Sequence, residues 1–493
     1  MKTRFCIIRI CLFAASVIYL PLFSGCKVGP DYVRPETSVP DQWHEKAVQG
    51  LDDGSADLQT WWTVFDDPVL EDLIQQSRMN NLDLRIAYAR IMEARAFLGV
   101  ASGEYWPEVD GVGFYSRDRV SENGLQAPPD GSSPDQTDLY GFGVDASWEI
   151  DVFGRISRTV ETAQALMEAS VEDYRDVLVA LYSEVAQSYI NLRAVQKRIQ
   201  YASDNIILQR GTLELTENRR EAGLVPQLDV EQAKLVLSST ESVIPQLRQF
   251  EAQAIHRLGV LLGQPPAALY TELSTVADVP DVPQNVAVGL PAELLRQRPD
   301  IRRAERLLAS QTAQIGVATA RLYPAFSLSG TFALEGQNFS DTGDWDSRTW
   351  GFGPAMRWNL FDGDRIRNTI KAEEARVELV MADYEQTILL ALEEVENTMV
   401  AFEQEKQRFE DLNDSVDAAQ KSVELVRELY ENGLTDFQNV LDMQRALTAQ
   451  QDLSATSEGT VANNLVRLYT ALGGGWSVEL IEDIEENDQD NKD

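Results

Sequence analysis

The side chains able to do chemistry are few and widely separated. Histidine occurs only as His44 and His256, and the three cysteines, Cys6, Cys11 and Cys26, all lie in the first 26 residues. Catalytic triads and zinc sites need several such groups close together, and a disulfide framework needs cysteines spread along the chain. Carboxylates are plentiful only because the chain is acidic, with 79 Asp and Glu against 43 Lys and Arg. We therefore predict a protein that is not an enzyme and that binds no metal.

One cysteine has surroundings that indicate a modification. Three basic residues in the first nine positions precede an apolar run over about 10–23, which predicts a secretory signal peptide over 1–25. The sequence Leu22-Phe-Ser-Gly-Cys26 resembles a bacterial lipobox. That resemblance implies N-acyl (palmitate) and S-diacylglycerol groups on Cys26, no other cofactor, and sorting to the outer membrane because Lys27 follows. A plain signal peptide with an incidental cysteine is the alternative.

Composition and charge restrict the class of protein. The 493 residues exceed one ordinary domain, and 44% hydrophobic with 25% charged residues is typical of a folded chain. The formal net charge of −36 argues against nucleic acid as a partner, because phosphate binding needs a cationic surface. After residue 26 no apolar run is long enough for a transmembrane helix.

An internal duplication organises the chain. Trp148 and the Arg155-Ile156 pair recur 210 residues later, and so do the pairs Gly223-Leu224 and Leu262-Gly263. Repeated landmarks in one order predict two copies of a single structural unit. The predicted regions are a signal peptide at 1–25, a lipidated N-terminal arm at 26–69, a first repeat at 70–263, a linker at 264–289, a second repeat at 290–473 and an acidic C-terminal tail at 474–493.

Each repeat combines strands with a long helical hairpin. Apolar and small or polar residues alternate over about 107–118, 138–150, 324–336 and 348–360, which predicts two strands in each repeat. Residues 155–221 contain no proline and one glycine, and 364–431 contain neither. At 1.5 Å per residue such helices extend roughly 100 Å. Each one meets a Gly-Leu turn and returns as a second helix with an Ala-rich seam, which is typical of coiled coils.

The strands have the pattern of a membrane β-barrel. One face is aromatic and aliphatic, the other carries Gly, Ser, Thr and charge, and 10–13 residues suffice to cross a bilayer. A soluble, half-buried sheet shows the same alternation and is the alternative. Four strands cannot close a membrane barrel, and open strand edges are not viable in lipid. We therefore predict an α+β membrane protein in which three chains share a 12-stranded barrel that continues as a coiled-coil helical tunnel in the periplasm.

Five segments in order carry a resemblance to a known family. They are Cys26-Lys-Val-Gly-Pro-Asp-Tyr32, Trp61-Trp62 with Asp67-Pro68, Trp148 to Gly154, Arg298 to Glu305 and Leu468 to Trp476. On these, the chain resembles the TolC-like outer-membrane factors, in the lipoprotein (NodT-type) branch of tripartite RND efflux systems. The resemblance implies a homotrimer in the outer membrane, a periplasmic adaptor (membrane fusion) protein, an inner-membrane RND transporter, and a role in drug resistance.

The resemblance also assigns roles to the hairpin turns. In the family, the turns are the end at which the adaptor docks and the channel closes, which implies this role for Gly223, Leu224, Gly433 and Leu434. The simpler interpretation is that each glycine only supplies a left-handed helix cap.

Gate residues are implied by the same resemblance. The family places two acidic rings near the tip, and the matching positions are Asn439, where an acid is missing, and Asp442. A closed-state link of a Tyr, an Asp and an Arg matches Tyr430 and Asp229, whereas the arginine position holds Thr435. The alternative for each is a solvated residue on a helix surface.

The sequence therefore predicts a passive outer-membrane exit duct. The outer channel of a type I protein secretion system is a second possibility within transport. A structural lipoprotein whose helices bridge envelope layers is a possibility from another class, and the membrane-strand pattern argues against it.

Overall fold

The computed structural model describes residues 27–37, 39–44, 51–52, 58–121, 136–283, 286–287, 289 and 291–477. The signal peptide, Cys26 and the segment 478–493 lie outside these ranges. The strands are β1 Leu51–Asp52, β2 Glu108–Arg119, β3 Gln136–Ile150, β4 Val286–Ala287, β5 Ala325–Gly336 and β6 Arg348–Arg357. The helices are α1 Pro68–Asn80, α2 Leu82–Gly103, α3 Arg155–Glu221, α4 Gln227–Leu261, α5 Tyr270–Leu273, α6 Pro291–Gln297, α7 Pro299–Ala320, α8 Arg365–Glu431 and α9 Phe437–Ala471.

Two compact units divide the chain, and neither coincides with a sequence repeat. The first contains residues 1–35, 91–169 and 304–384, and the second contains 36–90, 170–303 and 385–493. Each unit therefore takes part of both repeats, because strands pair with strands across the copies and hairpins pack with hairpins. The long helices α3 and α8 have 67 residues each and contribute to both units.

The first unit contains a four-stranded antiparallel sheet in the order β2-β3-β5-β6. Strands β3 and β5, one from each repeat, pair in the middle from Tyr140 opposite Gly336 to Ile150 opposite Phe326. Within the described ranges, β2 and β6 each have one neighbour and form the edges of the sheet. The sheet by itself is therefore open.

Matched positions of the two repeats make matched contacts. The indole Nε1 of Trp148 donates to the carbonyl of Tyr105 at 2.9 Å, and that of Trp358 donates to the carbonyl of Leu322 at 3.0 Å. In both cases a tryptophan at the end of a strand ties that strand to the turn that follows a shorter helix. The same tie therefore occurs at matched positions of the two repeats.

The N-terminal arm and the segment after α9 contribute to the core of the second unit. Trp61 of the N-terminal arm is fully buried and stacks on Tyr469, with ring centroids 5.8 Å apart. The Nε1 of Trp476 donates to the carbonyl of Gln297 at 3.0 Å, and the Arg175 guanidinium lies 4.4 Å from the Trp476 ring centroid. Residues 474–477, which the sequence assigned to the acidic tail, are therefore packed structure; charge alone could not mark this boundary, because these residues are uncharged.

Candidate functional site: the sheet faces and the hairpin tips

One face of the four-stranded sheet is an exposed apolar surface. Side chains of cross-strand partners share a face, and the row Val144, Phe332 and Trp350 shows its character. Phe352 and Met356 on the same face are 78% and 60% exposed. A contiguous apolar surface of this kind marks a site of contact with lipid or protein.

The opposite face is mostly small and polar, although Val112 and Phe114 of β2 also lie on it. Asp110 lies directly opposite Asp145 in the β2–β3 register, and Asp145 lies opposite Thr331, whose hydroxyl donates to the Asp145 carboxylate. Like charges facing each other across strands are unfavourable unless water screens them. This face is thus suited to contact with water, whereas the first face is suited to contact with an apolar environment.

A segment next to the predicted lipidation site is clamped within the first unit. The Arg158 side chain is almost fully buried, and its Nη2 lies 2.7 Å from Asp31 Oδ1 and 3.3 Å from the Gly29 carbonyl. The amide of Val28 donates to the carbonyl of Phe153 at 3.2 Å. Lys27, one residue after Cys26, therefore begins a strap held at the end of β3.

The two hairpin tips have the same backbone. Gly223 and Gly433 have φ values of +74° and +73°, in the left-handed region that favours glycine. Gly433 N donates to Tyr430 O at 3.0 Å and Leu434 N donates to Leu429 O at 2.8 Å, and the first tip repeats both bonds. This is the Schellman ending of a helix. It leaves Leu224 and Leu434 at the ends of the turns, 67% and 73% exposed.

An arginine joins the two tips. The Nη1 of Arg219, in the last turn of α3, donates to the carbonyl of Tyr430 at 2.7 Å and to that of Glu431 at 3.2 Å. The same guanidinium lies 4.6 Å from the Tyr430 ring centroid. Tyr430 is only 3% exposed and packs in a cluster with Phe437 and Leu441.

Burial and nearby charges shift two pKa values at the tips. Burial raises the pKa of Tyr430, Arg219 lowers it, and the nearby charge of Asp229 raises it further. Burial and the charge of Asp436 raise the pKa of Asp229. The arginine that contacts Tyr430 in this structure is Arg219 of the other hairpin, and the predicted closed-state link stays a prediction.

The two residues matched to the acidic rings lie on the exposed surface of α9. The Asp442 carboxylate accepts from Gln438 Nε2 at 2.9 Å and lies 3.4 Å from Arg445 Nη1. Asn439 Nδ2 donates to the hydroxyl of Thr435 at 2.9 Å. Asp442 therefore has a local counter-charge in Arg445, which sequence analysis did not identify.

Three arginines with important contacts were missed: Arg158, Arg219 and Arg445. Arg445 had a detectable signal, because it lies three residues after Asp442 on a helix. The partners of Arg158 and Arg219 are distant in sequence, and no local pattern marks them.

Two further observations concern the described ranges only. They contain no cluster of three or more His, Cys, Asp or Glu arranged to hold a metal ion. No helix within them combines the length and the apolar content needed to cross a membrane.

The fold and the site define a class of protein. A sheet with one apolar and one polar face divides lipid from water, and the chain continues from it into helices of 67 residues. These are the properties expected of a subunit of a membrane channel that has a helical extension.

Comparison with known proteins identifies the family. The family model for outer membrane efflux proteins matches residues 73–264 and 290–474. Nodulation protein T of Rhizobium leguminosarum bv. trifolii is 31% identical over 458 residues, 92% of this chain and 96% of that protein. The cation efflux system protein CusC of Escherichia coli is 31% identical over 467 residues, again 92% of this chain and 96% of that protein. The chain belongs to the outer membrane efflux protein family.

Solved structures agree with this assignment. The outer-membrane channel OprN superposes with a TM-score of 0.85 at 36% identity, covering 92% of this chain and all of that chain. CusC gives a TM-score of 0.79 at 28% identity over 91% of this chain and all of that one. The protein is thus an efflux channel of the outer membrane.

Proposed function

We propose that the chain is the exit duct of a tripartite efflux pump, which passively conducts small molecules from a periplasmic adaptor and an inner-membrane RND transporter to the outside. The two-faced sheet carries this proposal, because it supplies a lipid-facing surface and a water-facing surface in the same four strands. Relatives named as efflux proteins of the outer membrane, such as TtgC of Pseudomonas putida at 30% identity, support it.

The duct is a homotrimer in this proposal. The edge strands β2 and β6 have 12 and 10 residues, and each would expose unpaired backbone groups to lipid if it stayed at an edge. Joining β2 of one chain to β6 of the next closes a barrel of twelve strands from three chains. The smallest single-chain membrane barrels have eight strands, so one chain is not enough.

Exposed apolar side chains on α8 support contacts between chains. Leu389, Leu390 and Leu425 are more than half exposed along the part of α8 that belongs to the second unit. In a trimer, neighbouring chains would cover such residues and complete the helical tunnel. The exposed Leu224 and Leu434 at the tips would meet the periplasmic adaptor.

No chemistry is assigned to the chain. The carboxylates at the tips and on the polar sheet face are suited to a water-filled, cation-tolerant path. Energy for export would come from the inner-membrane transporter, and the duct would supply the path and the gate.

Anchoring at Cys26 completes the proposal. The strap from Lys27 onward is fixed to the end of β3, which favours a membrane anchor beside the sheet. Cys26→Ser should abolish labelling by a radioactive fatty acid and slow removal of the signal peptide, whereas Ser24→Ala serves as a control. Unchanged labelling of the serine variant would contradict acylation at this cysteine.

The decisive experiment is reconstitution of the purified chain. Native mass measurement in mild detergent should find three chains, and planar bilayers should show steady single-channel conductance without an energy source. A stable folded monomer would refute the shared barrel, and a trimer that never conducts would refute the duct.

A further inference from the structure

One side chain of the first repeat contacts the C-terminal end of a long helix of the second repeat. Arg219 belongs to α3 of the first repeat, and the carbonyls that it binds, of Tyr430 and Glu431, are the last two of α8 in the second repeat. The contact therefore joins segments that are more than 200 residues apart in sequence.

The last turn of α8 supplies no cation of its own, and Arg427 just before it pairs with the Glu431 carboxylate at 3.1 Å. That turn reads Glu428-Leu-Tyr-Glu431 and contains no lysine or arginine. The last carbonyls of a helix lack intrahelical partners and carry partial negative charge, which favours a nearby cation. Tyr430 O already accepts the Schellman bond from Gly433, and its second lone pair is free for Arg219.

The Arg219 contact has no counterpart from the second repeat to the first. With the repeat offset of 210, the counterpart of Arg219 is Leu429 and the counterpart of Tyr430 is Arg220. An apolar side chain cannot donate to the end of α3, so the first tip receives no equivalent bond from position 429. The second tip thus depends on the first.

Other polar contacts join α3 to α9. Lys197 pairs with Glu458 at 2.6 Å and Arg198 with Asp452 at 2.7 Å. Nearer the tips, Gln444 Nε2 donates to the Thr212 hydroxyl at 2.7 Å. These bonds fix α9 along its length, whereas Arg219 reaches the end of α8, the other helix of the second hairpin.

We propose that Arg219 is the positioning residue that holds the second tip against the first, so that opening at the tips requires its release from the two α8 carbonyls. This proposal rests on the proposed function, since it takes the tips as a boundary of the conducting path. Position 435 holds a threonine, and the guanidinium beside Tyr430 comes instead from Arg219 of the first hairpin.

The test uses the full-length trimer in planar bilayers. Arg219→Gln removes the charge and the stacking, and Arg220→Gln makes the same charge change in the same turn at an exposed residue. The first should raise the open probability roughly three- to tenfold, in proportion to a lost helix-end interaction. The second should leave it unchanged, and Arg219→Lys, which keeps a cation at the helix end, should restore most of the closed state.

A second readout separates positioning from general stability. Hydrogen exchange of amides 428–434 should accelerate in Arg219→Gln, while the yield of trimer and its melting temperature stay at wild-type values. If that variant does not assemble, exchange in Arg219→Met against Arg220→Met decides, because methionine keeps an unbranched side chain and removes the cation and its donors: faster exchange at 428–434 in the former supports the proposal, and equal exchange overturns it.

The outcomes for the two proposals are distinct. A trimer that conducts neither as wild type nor as Arg219→Gln contradicts the duct itself. A conducting wild type, with Arg219→Gln and Arg220→Gln behaving alike, overturns the role of Arg219 and leaves the duct intact.

Discussion

The two hairpin tips share a backbone and differ in almost every functional side chain. Both end their long helices with the same bonds and with glycines at nearly the same φ. At matched positions of the two repeats, however, the residues differ: Arg219 is aligned with Leu429, Asp229 with Asn439 and Gln232 with Asp442. The duplication thus preserved the turn geometry, whereas the charged groups became divided between the copies.

This difference makes the tips complementary rather than equivalent. The first tip supplies the cation, and the second supplies the helix end and the buried ring of Tyr430 that receive it. The contact is not returned, because Leu429 stands at the position of the second repeat that matches Arg219. Variants at matched positions can therefore test the comparison directly.

The largest expected effect is at Tyr430. Tyr430→Ala should cost about 3–5 kcal/mol of local stability, since it removes a buried aromatic ring from a packed cluster. Arg220→Ala, the matched change in the first repeat, should cost less than about 0.5 kcal/mol because the residue is exposed. Hydrogen exchange of amides 426–441 measures the difference, and equal losses in the two variants would show that the tips are equivalent after all.

A smaller and symmetrical effect is expected at the turn glycines. Gly223→Ala and Gly433→Ala should each destabilise their own tip by about 1–2 kcal/mol, because both place a Cβ in the left-handed region. Exchange of the amides in each turn reports this cost. Clearly unequal losses of stability in the two variants would mean that the two turns do not tolerate a Cβ equally.

A smaller effect is expected on ion selectivity, which should depend on the charges of the second tip. Asp442→Asn should reduce the ratio of cation to anion permeability about twofold, and Arg445→Gln should raise it, since single exposed charges are worth about 0.2–1 kcal/mol. Reversal potentials in a salt gradient measure the ratio.

The control for selectivity lies on the first tip. Glu231→Gln makes an equal change of charge at an exposed residue of α4, and it should have little effect if the second tip forms the constriction. A polar-face residue such as Asp110 is a poorer control, because it faces Asp145 on the water-facing side of the sheet. Equal effects at Asp442 and Glu231 would contradict the assignment.

The smallest effect is expected at Asp229. Its pKa is raised by burial and by Asp436, so its charged form destabilises the folded tip at neutral pH. The penalty is present above the raised pKa and disappears as the pH falls towards the ordinary value of 3.8. Asp229→Asn should therefore slow hydrogen exchange at the tip at pH 7 relative to wild type, and the two proteins should exchange alike in acid. Slower exchange of the variant that persists at low pH would contradict a penalty from the charged carboxylate.

The family and its channel function could be predicted from the sequence. Strand alternation, long helices without proline and turn glycines at a fixed offset are local patterns, and local patterns suffice because they reflect backbone preference and the two environments of each element. The family assignment follows from ordered motifs along the chain. The exposed apolar face of the sheet reflects the same alternation.

Tertiary structure alone decided which residues meet at the functional ends. Arg219 and Tyr430 are 211 positions apart, and Arg158 and Asp31 are 127 apart. Contacts of that kind depend on how hairpins and strands of the two repeats pack, which no periodicity encodes. The division of the chain into two units that cross the repeats has the same cause: β3 of the first repeat pairs with β5 of the second, although β2–β3 and β5–β6 pair within their own repeats.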